Sequence, residues 1–187
     1  MNPYPDWLRR TITLFLFLLL IASSCFLMHW MYSTVDRRMR TAFEQEARLV
    51  ADAVNMESIR KLSGTDADLD LPAYQRLKRH FASVKNFKQE FHFIYLVGKR
   101  PVSTPASPGQ AGNELFIYVD NEAPDSKDYS PPGQVYEEAP KGYWQAFETQ
   151  KPLVKGPFTD RWGRWVSALI PINDPLDNTL MAVLGVD

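Results

Sequence analysis

Cysteine is nearly absent from this sequence: the single thiol, Cys25, lies inside a hydrophobic run, and nothing after it carries another. That excludes a disulfide framework and a cysteine-based zinc site from the rest of the chain. Histidine is scarce too, with His29, His80 and His92 too scattered for a metal cluster at ordinary ligand spacing. A surplus of positive charge is also missing. The formal net charge is −1, and setting aside Arg9, Arg10 and Asp6 leaves 19 basic and 21 acidic side chains in residues 36–187. No nucleic-acid partner is expected of such a surface. There is no glycine-rich phosphate loop, His-Glu-x-x-His pair or nucleophile elbow. Glu137 and Glu138 are adjacent, so they diverge on a helix and face opposite sides of a strand, a poor acid–base pair. The acidic stretches 120–128 and 174–177 lack the ligand order of an EF-hand, and turn chemistry explains them better. No cofactor, metal or enzymatic activity is expected.

What is present begins with a membrane signal. Thr11 to Val35 is a run of 25 residues without Asp, Glu, Lys or Arg. As a helix it reaches roughly 37 Å, more than the ~30 Å hydrocarbon core. Trp7 on one side and Trp30 with Tyr32 on the other sit where interfacial aromatics belong. A cleavable signal peptide has a shorter apolar region and a small-x-small exit. Here the exit is His29-Trp30-Met31-Tyr32, so an uncleaved anchor over 11–35 is expected, with residues 1–10 before it. Cys25 is a poor lipoprotein site, since the apolar run continues past it. Arginines flank the run on both sides, so charge alone does not set its orientation.

From Asp36 the helix is expected to continue. Met39, Phe43, Ala47, Val50 and Val54 recur at helical spacing and give it one apolar face, with Ser63-Gly64-Thr65 as the stop. Pro72 opens a second helix whose apolar face is Tyr74, Leu77, Phe81 and Val84, with Lys78, Arg79, Lys85 and Lys88 as a solvated basic flank. Strands are predicted over Phe91–Val97, Leu115–Val119, Leu153–Phe158, Arg164–Ile172 and Thr179–Val186, and a short helix over Tyr143–Thr149. Pro101–Gly112 reads as a loop and Asp120–Gly133 as an irregular connection. The implied class is α+β: a transmembrane helix running into a long helix, then a PAS-like antiparallel five-stranded sheet flanked by helices. The short connections predict a meander.

The C-terminal half carries a series of separated motifs. Tyr129-Ser130-Pro131-Pro132-Gly133-Gln134-Val135-Tyr136-Glu137-Glu138-Ala139 is followed by Gly156-Pro157-Phe158-Thr159-Asp160-Arg161-Trp162-Gly163-Arg164-Trp165-Val166-Ser167-Ala168. Pro171-Ile172, Asp174-Pro175 and Ala182-Val183-Leu184-Gly185-Val186-Asp187 complete it. The series resembles the Cache-like (PDC) extracytoplasmic sensor domains of bacterial histidine kinases, diguanylate cyclases and related receptors. It covers residues 36–187, with its motifs concentrated beyond residue 115. The resemblance implies a PAS-like sheet, an N-terminal helix continuous with the first membrane helix, an N-in topology, and an extracytoplasmic (periplasmic) domain on the inner membrane. It also implies that any kinase or cyclase activity lies in an output module beyond the sensor.

In such a domain a small ligand sits between one sheet face and the loops covering it. The candidate lining residues are Tyr95, Tyr118 and Asp120 on the early strands, Tyr129 and Tyr136 on the cover, and Trp162 and Ser167 on the later strands. The expected partners are a small-molecule ligand, the lipid bilayer and a second copy of the chain paired through the N-terminal helix. The competing class is a membrane-tethered envelope scaffold that binds a partner protein without signalling.

Overall fold

No proline or glycine interrupts the chain between Asp6 and Asp52, and there it forms one helix, α1 (Asp6–Asp52, 47 residues). The computed structural model describes residues 5–102 and 112–187. The start of the N-terminal segment 1–10 and most of the Pro101–Gly112 loop therefore lie outside the described residues. Two compact units are present, the first ending at Ala42 and the second running from Phe43 to Asp187. In the first, α1 carries a window of mean hydropathy 2.4 with none of it buried, long and apolar enough to cross a membrane. Its polar residues are compatible with that setting: the hydroxyls of Thr11, Thr13, Ser23, Ser33 and Thr34 each donate to a carbonyl three or four residues back.

The second unit begins with the last turns of α1. Here the predicted stripe is buried at Ala47, Val50 and Val54, joined by Ala51. Met39 stands outside it, exposed. The helix also ends earlier than the Ser63-Gly64-Thr65 stop expected from sequence. It stops at Asp52, and Asn55 then caps a separate short helix, α2 (Met56–Arg60), by accepting from the Ser58 amide at 2.8 Å. A 3₁₀ turn (Asp66–Asp70) leads into α3 (Pro72–Phe87), which has proline in its first turn and buries Tyr74, Leu77 and Phe81 as predicted. Its lysines are not merely solvated. Lys78, Lys85 and Lys88 pair with Asp120, Glu122 and Glu46, each at 2.7 Å.

The strands are β1 (Ile94–Pro101), β2 (Asn113–Asp120), β3 (Leu153–Asp160), β4 (Gly163–Asn173) and β5 (Leu180–Val186), with α4 (Lys141–Thr149) between β2 and β3. All pairings are antiparallel, in the order β2-β1-β5-β4-β3. This is the predicted α+β, PAS-like class, but it is not a plain meander. The connection from β2 to β3 is long and crosses the sheet, so the last strand inserts beside the first. The physical reason is in β5 itself: Ala182, Val183, Leu184 and Val186 are all fully buried, which only a central strand covered on both faces provides.

Alternation sorts the sheet into two cores. Ile94, Leu96, Ala168, Ile170, Leu184 and Val186 point toward α1, α2 and α3. Tyr95, Val97, Leu169 and Val183 point the other way, toward α4 and the segment ending at Tyr136. That covering segment is tied to β2 by backbone bonds: the Ile117 amide to the Gln134 carbonyl at 2.9 Å, and the Tyr136 amide to the Leu115 carbonyl at 2.8 Å. Just before them Gly133 turns the chain at φ +85°, so close to the Gly64 loop that a Cβ would lie 2.4 Å from the Gly64 carbonyl oxygen. Gly133→Ala is therefore expected to lower stability by more than about 1 kcal/mol, through both backbone strain and the clash. Thermal unfolding of the purified chain by circular dichroism checks this; an unchanged midpoint would contradict the packing of these two loops.

Candidate functional site

On the face of the sheet shared with α4, the chain encloses a pocket lined by Phe93, Tyr95, Ile117, Asp120, Asp128, Ser130, Tyr136, Asp160, Trp162 and Asp187. Its cavity volume is about 20 Å³. Room for about one water is available without movement, and a larger guest must displace the cover.

Each wall follows from the fold. Tyr95 lies on β1 opposite Gly185 of β5. A Cβ at residue 185 would come within 2.4 Å of the Tyr95 ring, so glycine is what lets that ring lie across β5. The hydroxyl thereby reaches the carboxyl oxygens of Asp187 at 3.3 and 3.2 Å. Asp187, just past β5, is held in line by its amide bond to the Phe93 carbonyl. Its carboxyl also accepts from the Ser167 hydroxyl of β4 in a short hydrogen bond. Tyr143 of α4 completes the chain, its phenol in a short hydrogen bond with that of Tyr95.

The second carboxylate is anchored differently. One oxygen of Asp160, at the corner between β3 and β4, accepts from the amides of Trp162 and Gly163 at 2.9 and 3.1 Å and from the Trp165 indole at 3.2 Å. Its other oxygen takes the Tyr136 hydroxyl at 2.8 Å. Trp162 then packs edge-on against Tyr136 with ring centroids 5.5 Å apart. Outside it, Arg161 lies over the Trp162 ring at 5.0 Å and forms a close ion pair with Glu138, joining the strand corner to the cover. The third carboxylate, Asp120, ends β2 and is shared: one oxygen takes Lys78 at 2.7 Å, the other the Ser130 amide at 2.6 Å.

Four of the seven residues singled out from sequence, Tyr95, Asp120, Tyr136 and Trp162, line this pocket together. Tyr118 does not. It packs edge-on against Phe116, 4.6 Å between centroids, on the helix-covered core. Tyr129 lies on the α3 side, its ring 4.4 Å from the Lys78 ammonium. Ser167 contributes through Asp187 rather than by lining. Sequence reading passed over Asp160, which looked like turn chemistry, and Asp187, which follows the last strand. The available signal was an acid directly after a strand whose every neighbour is apolar. Among the described residues, no group of His, Cys, Asp or Glu is arranged to hold a metal ion.

Burial sets the electrostatics. Loss of solvent pushes the Asp187 carboxyl up to about 7; the Ser167 and Tyr95 hydroxyls oppose this and the nearby Asp160 adds to it. Asp120 is also raised by burial, with Lys78 offsetting part of the effect. The phenols of Tyr95 and Tyr136 are driven well above their ordinary value, again by burial first.

No protein-family profile and no curated protein matches the chain. Among solved structures, the ligand-binding domain of the Campylobacter jejuni chemoreceptor Tlp3 in complex with L-valine is similar, at 13% identity over 83% of this chain and 54% of that one, TM-score 0.49. The same receptor domain with 4-methylisoleucine gives 15% identity, 83% and 52% coverage, TM-score 0.45. The extracellular domain of mmHK1S-Z2, assigned as a histidine kinase, gives 13%, 78% and 54%, TM-score 0.42. This chain thus spans about half the length of the solved sensory domains it resembles.

A pH dependence of stability follows from Asp187. Its folded pKa of about 7 exceeds the ordinary 3.8, so between those values the unfolded chain has lost a proton that the folded chain keeps. Stability is expected to fall as pH rises across that window, at up to about 1.4 kcal/mol per unit and on the order of 4 kcal/mol in all, then to level off. Asp187→Asn should remove that component and leave the variant more stable than the parent at pH 8. Denaturant unfolding of both proteins at pH 4, 6 and 8 tests the sign; identical pH profiles would rule out a buried, proton-holding Asp187.

Proposed function

We propose that residues 36–187 are the signal-input domain of a membrane receptor, sensing a small ligand in the pocket on the α4 face. In this reading residues 11–35 anchor the chain in the inner membrane, 1–10 stay in the cytoplasm, and the domain faces the extracytoplasmic (periplasmic) side. Kinase, cyclase or other output chemistry belongs to a separate module, and the chain itself is not an enzyme. The observation that carries the proposal is the pocket: a concave, aromatic-walled site on one face of a PAS-like sheet, with convergent carboxyl and hydroxyl groups. The motif resemblance between residues 115 and 187, and an N-terminal helix of membrane-spanning length and hydropathy, support the same reading.

Transmission is proposed to run through α1 in a homodimer. Val35, Ala42 and Leu49 recur every seven residues, with Met39 one turn from Val35, and all four are exposed. Val50, by contrast, is turned into the domain core, so the two faces of the helix serve different partners. A ligand shifts such a dimer only by its difference in affinity between two states.

Fusing Met1–Asp187 to the second membrane helix and output region of a well-characterised kinase provides the functional test. A ligand-dependent output that Trp162→Ala abolishes is the expected result; an output indifferent to a broad metabolite library, from a fusion that is folded and inserted, would defeat the sensor reading. For the dimer, Leu49→Cys in a Cys25→Ser background should cross-link with itself in membranes under mild oxidation. Failure at Leu49, Ala42 and Val35 alike would exclude pairing along this face.

A further inference from the structure

We propose that the pocket selects an organic cation lacking a carboxylate, an amine rather than an amino acid. This rests on the sensor reading above and narrows the ligand class of that same site.

The lining contains four carboxylates and no lysine, arginine or histidine. One of the four, Asp120, already has its countercharge, and the arginine at the Trp162 wall is tied outside the space. Lys78 sits on Asp120 at 2.7 Å, and Arg161 is held by Glu138 outside the Trp162 ring. Asp187 and Asp160 are satisfied only by neutral donors: hydroxyls for the first, amides, an indole and a phenol for the second. The Asp128 carboxylate has no partner among the described residues and stands at the lining. A buried carboxyl with no countercharge is costly in isolation, and a bound ammonium supplies what the chain withholds.

Four of the six remaining lining residues are aromatic. Phe93, Tyr95, Tyr136 and Trp162 present ring surface to the same space, and such surface attracts a desolvated cation. A ligand carboxylate meets the opposite situation. The amides of Ser130, Trp162 and Gly163 already donate to Asp120 and Asp160. An incoming anion would find hydroxyls alone, beside carboxylates of its own sign. Discrimination of this kind works by repulsion as much as by attraction.

The test uses the full chain in nanodiscs and matched pairs that differ only by the carboxylate: isobutylamine and L-valine, tyramine and L-tyrosine, agmatine and L-arginine. Thermal shift and titration calorimetry at pH 8 are the readouts. At least one amine should raise the unfolding temperature and bind at least about tenfold more tightly than its amino-acid partner, a difference of about 1.4 kcal/mol. Asp187→Asn should abolish that binding with an unchanged circular dichroism spectrum. Should that variant fail to fold, Asp128→Asn, at the lining without internal bonds, should weaken amine binding several-fold with no change in the ligand-free midpoint. An amino acid that binds as well as its amine, or a response confined to anionic or uncharged compounds, overturns the inference while leaving the sensor reading intact. A folded protein that responds to nothing in a broad metabolite library overturns both.

Discussion

Two-sided burial of β5 is the constraint on which the rest of the second unit depends. A strand with Ala182, Val183, Leu184 and Val186 all out of water needs a partner on each edge and a layer on each face. Its edges are taken by β1 and β4. Helices α1, α2 and α3 cover one face, and α4 with the 121–140 segment covers the other. The pocket is a by-product of the second layer. Asp120 and Asp160, the last residues of β2 and β3, and Asp187, just past β5, all face the pocket. Carboxyl groups collect there because strand ends are the first positions where a polar side chain escapes both cores.

The elements were largely legible in the sequence, and for physical reasons. Periodicity of 3.6 marked α3, where Tyr74, Leu77 and Phe81 all proved buried, and β-branched and aromatic runs marked each strand. Strand order was not legible. Local patterning states that β5 is buried on both faces but not which strands flank it, and short connections favoured a meander until the long β2–β3 crossover was visible. The end of α1 was missed because Val54 and Ile59 keep the helical spacing across the Asn55 break. Hydrophobic spacing survives a helix interruption of three residues when both pieces pack on the same core.

The pocket was half legible. Tyr95, Tyr136 and Trp162 could be picked out because a large polar-tipped ring on a strand or cover must put its tip somewhere, and a pocket wall is a common place. Asp160 and Asp187 escaped notice because each carries an ordinary structural explanation in sequence, a turn and a strand end. Only the fold brings both carboxyl groups to one cavity. Tyr118 shows the converse: the register shift between Leu96 and Val97 changes which residues of β2 face which side, and sequence alternation gives no sign of a bulge.

The two oxygens of Asp120 are bound to different parts of the molecule. One is bound to Lys78 on a helix that packs against the final turns of α1, the other to the Ser130 amide on the loop over the pocket. A guest that lifts the loop takes the Ser130 amide away from this carboxylate and leaves it the Lys78 ammonium and the Glu122 amide. One buried carboxyl thus ties the mouth of the cavity to the helical layer on the far side of the sheet.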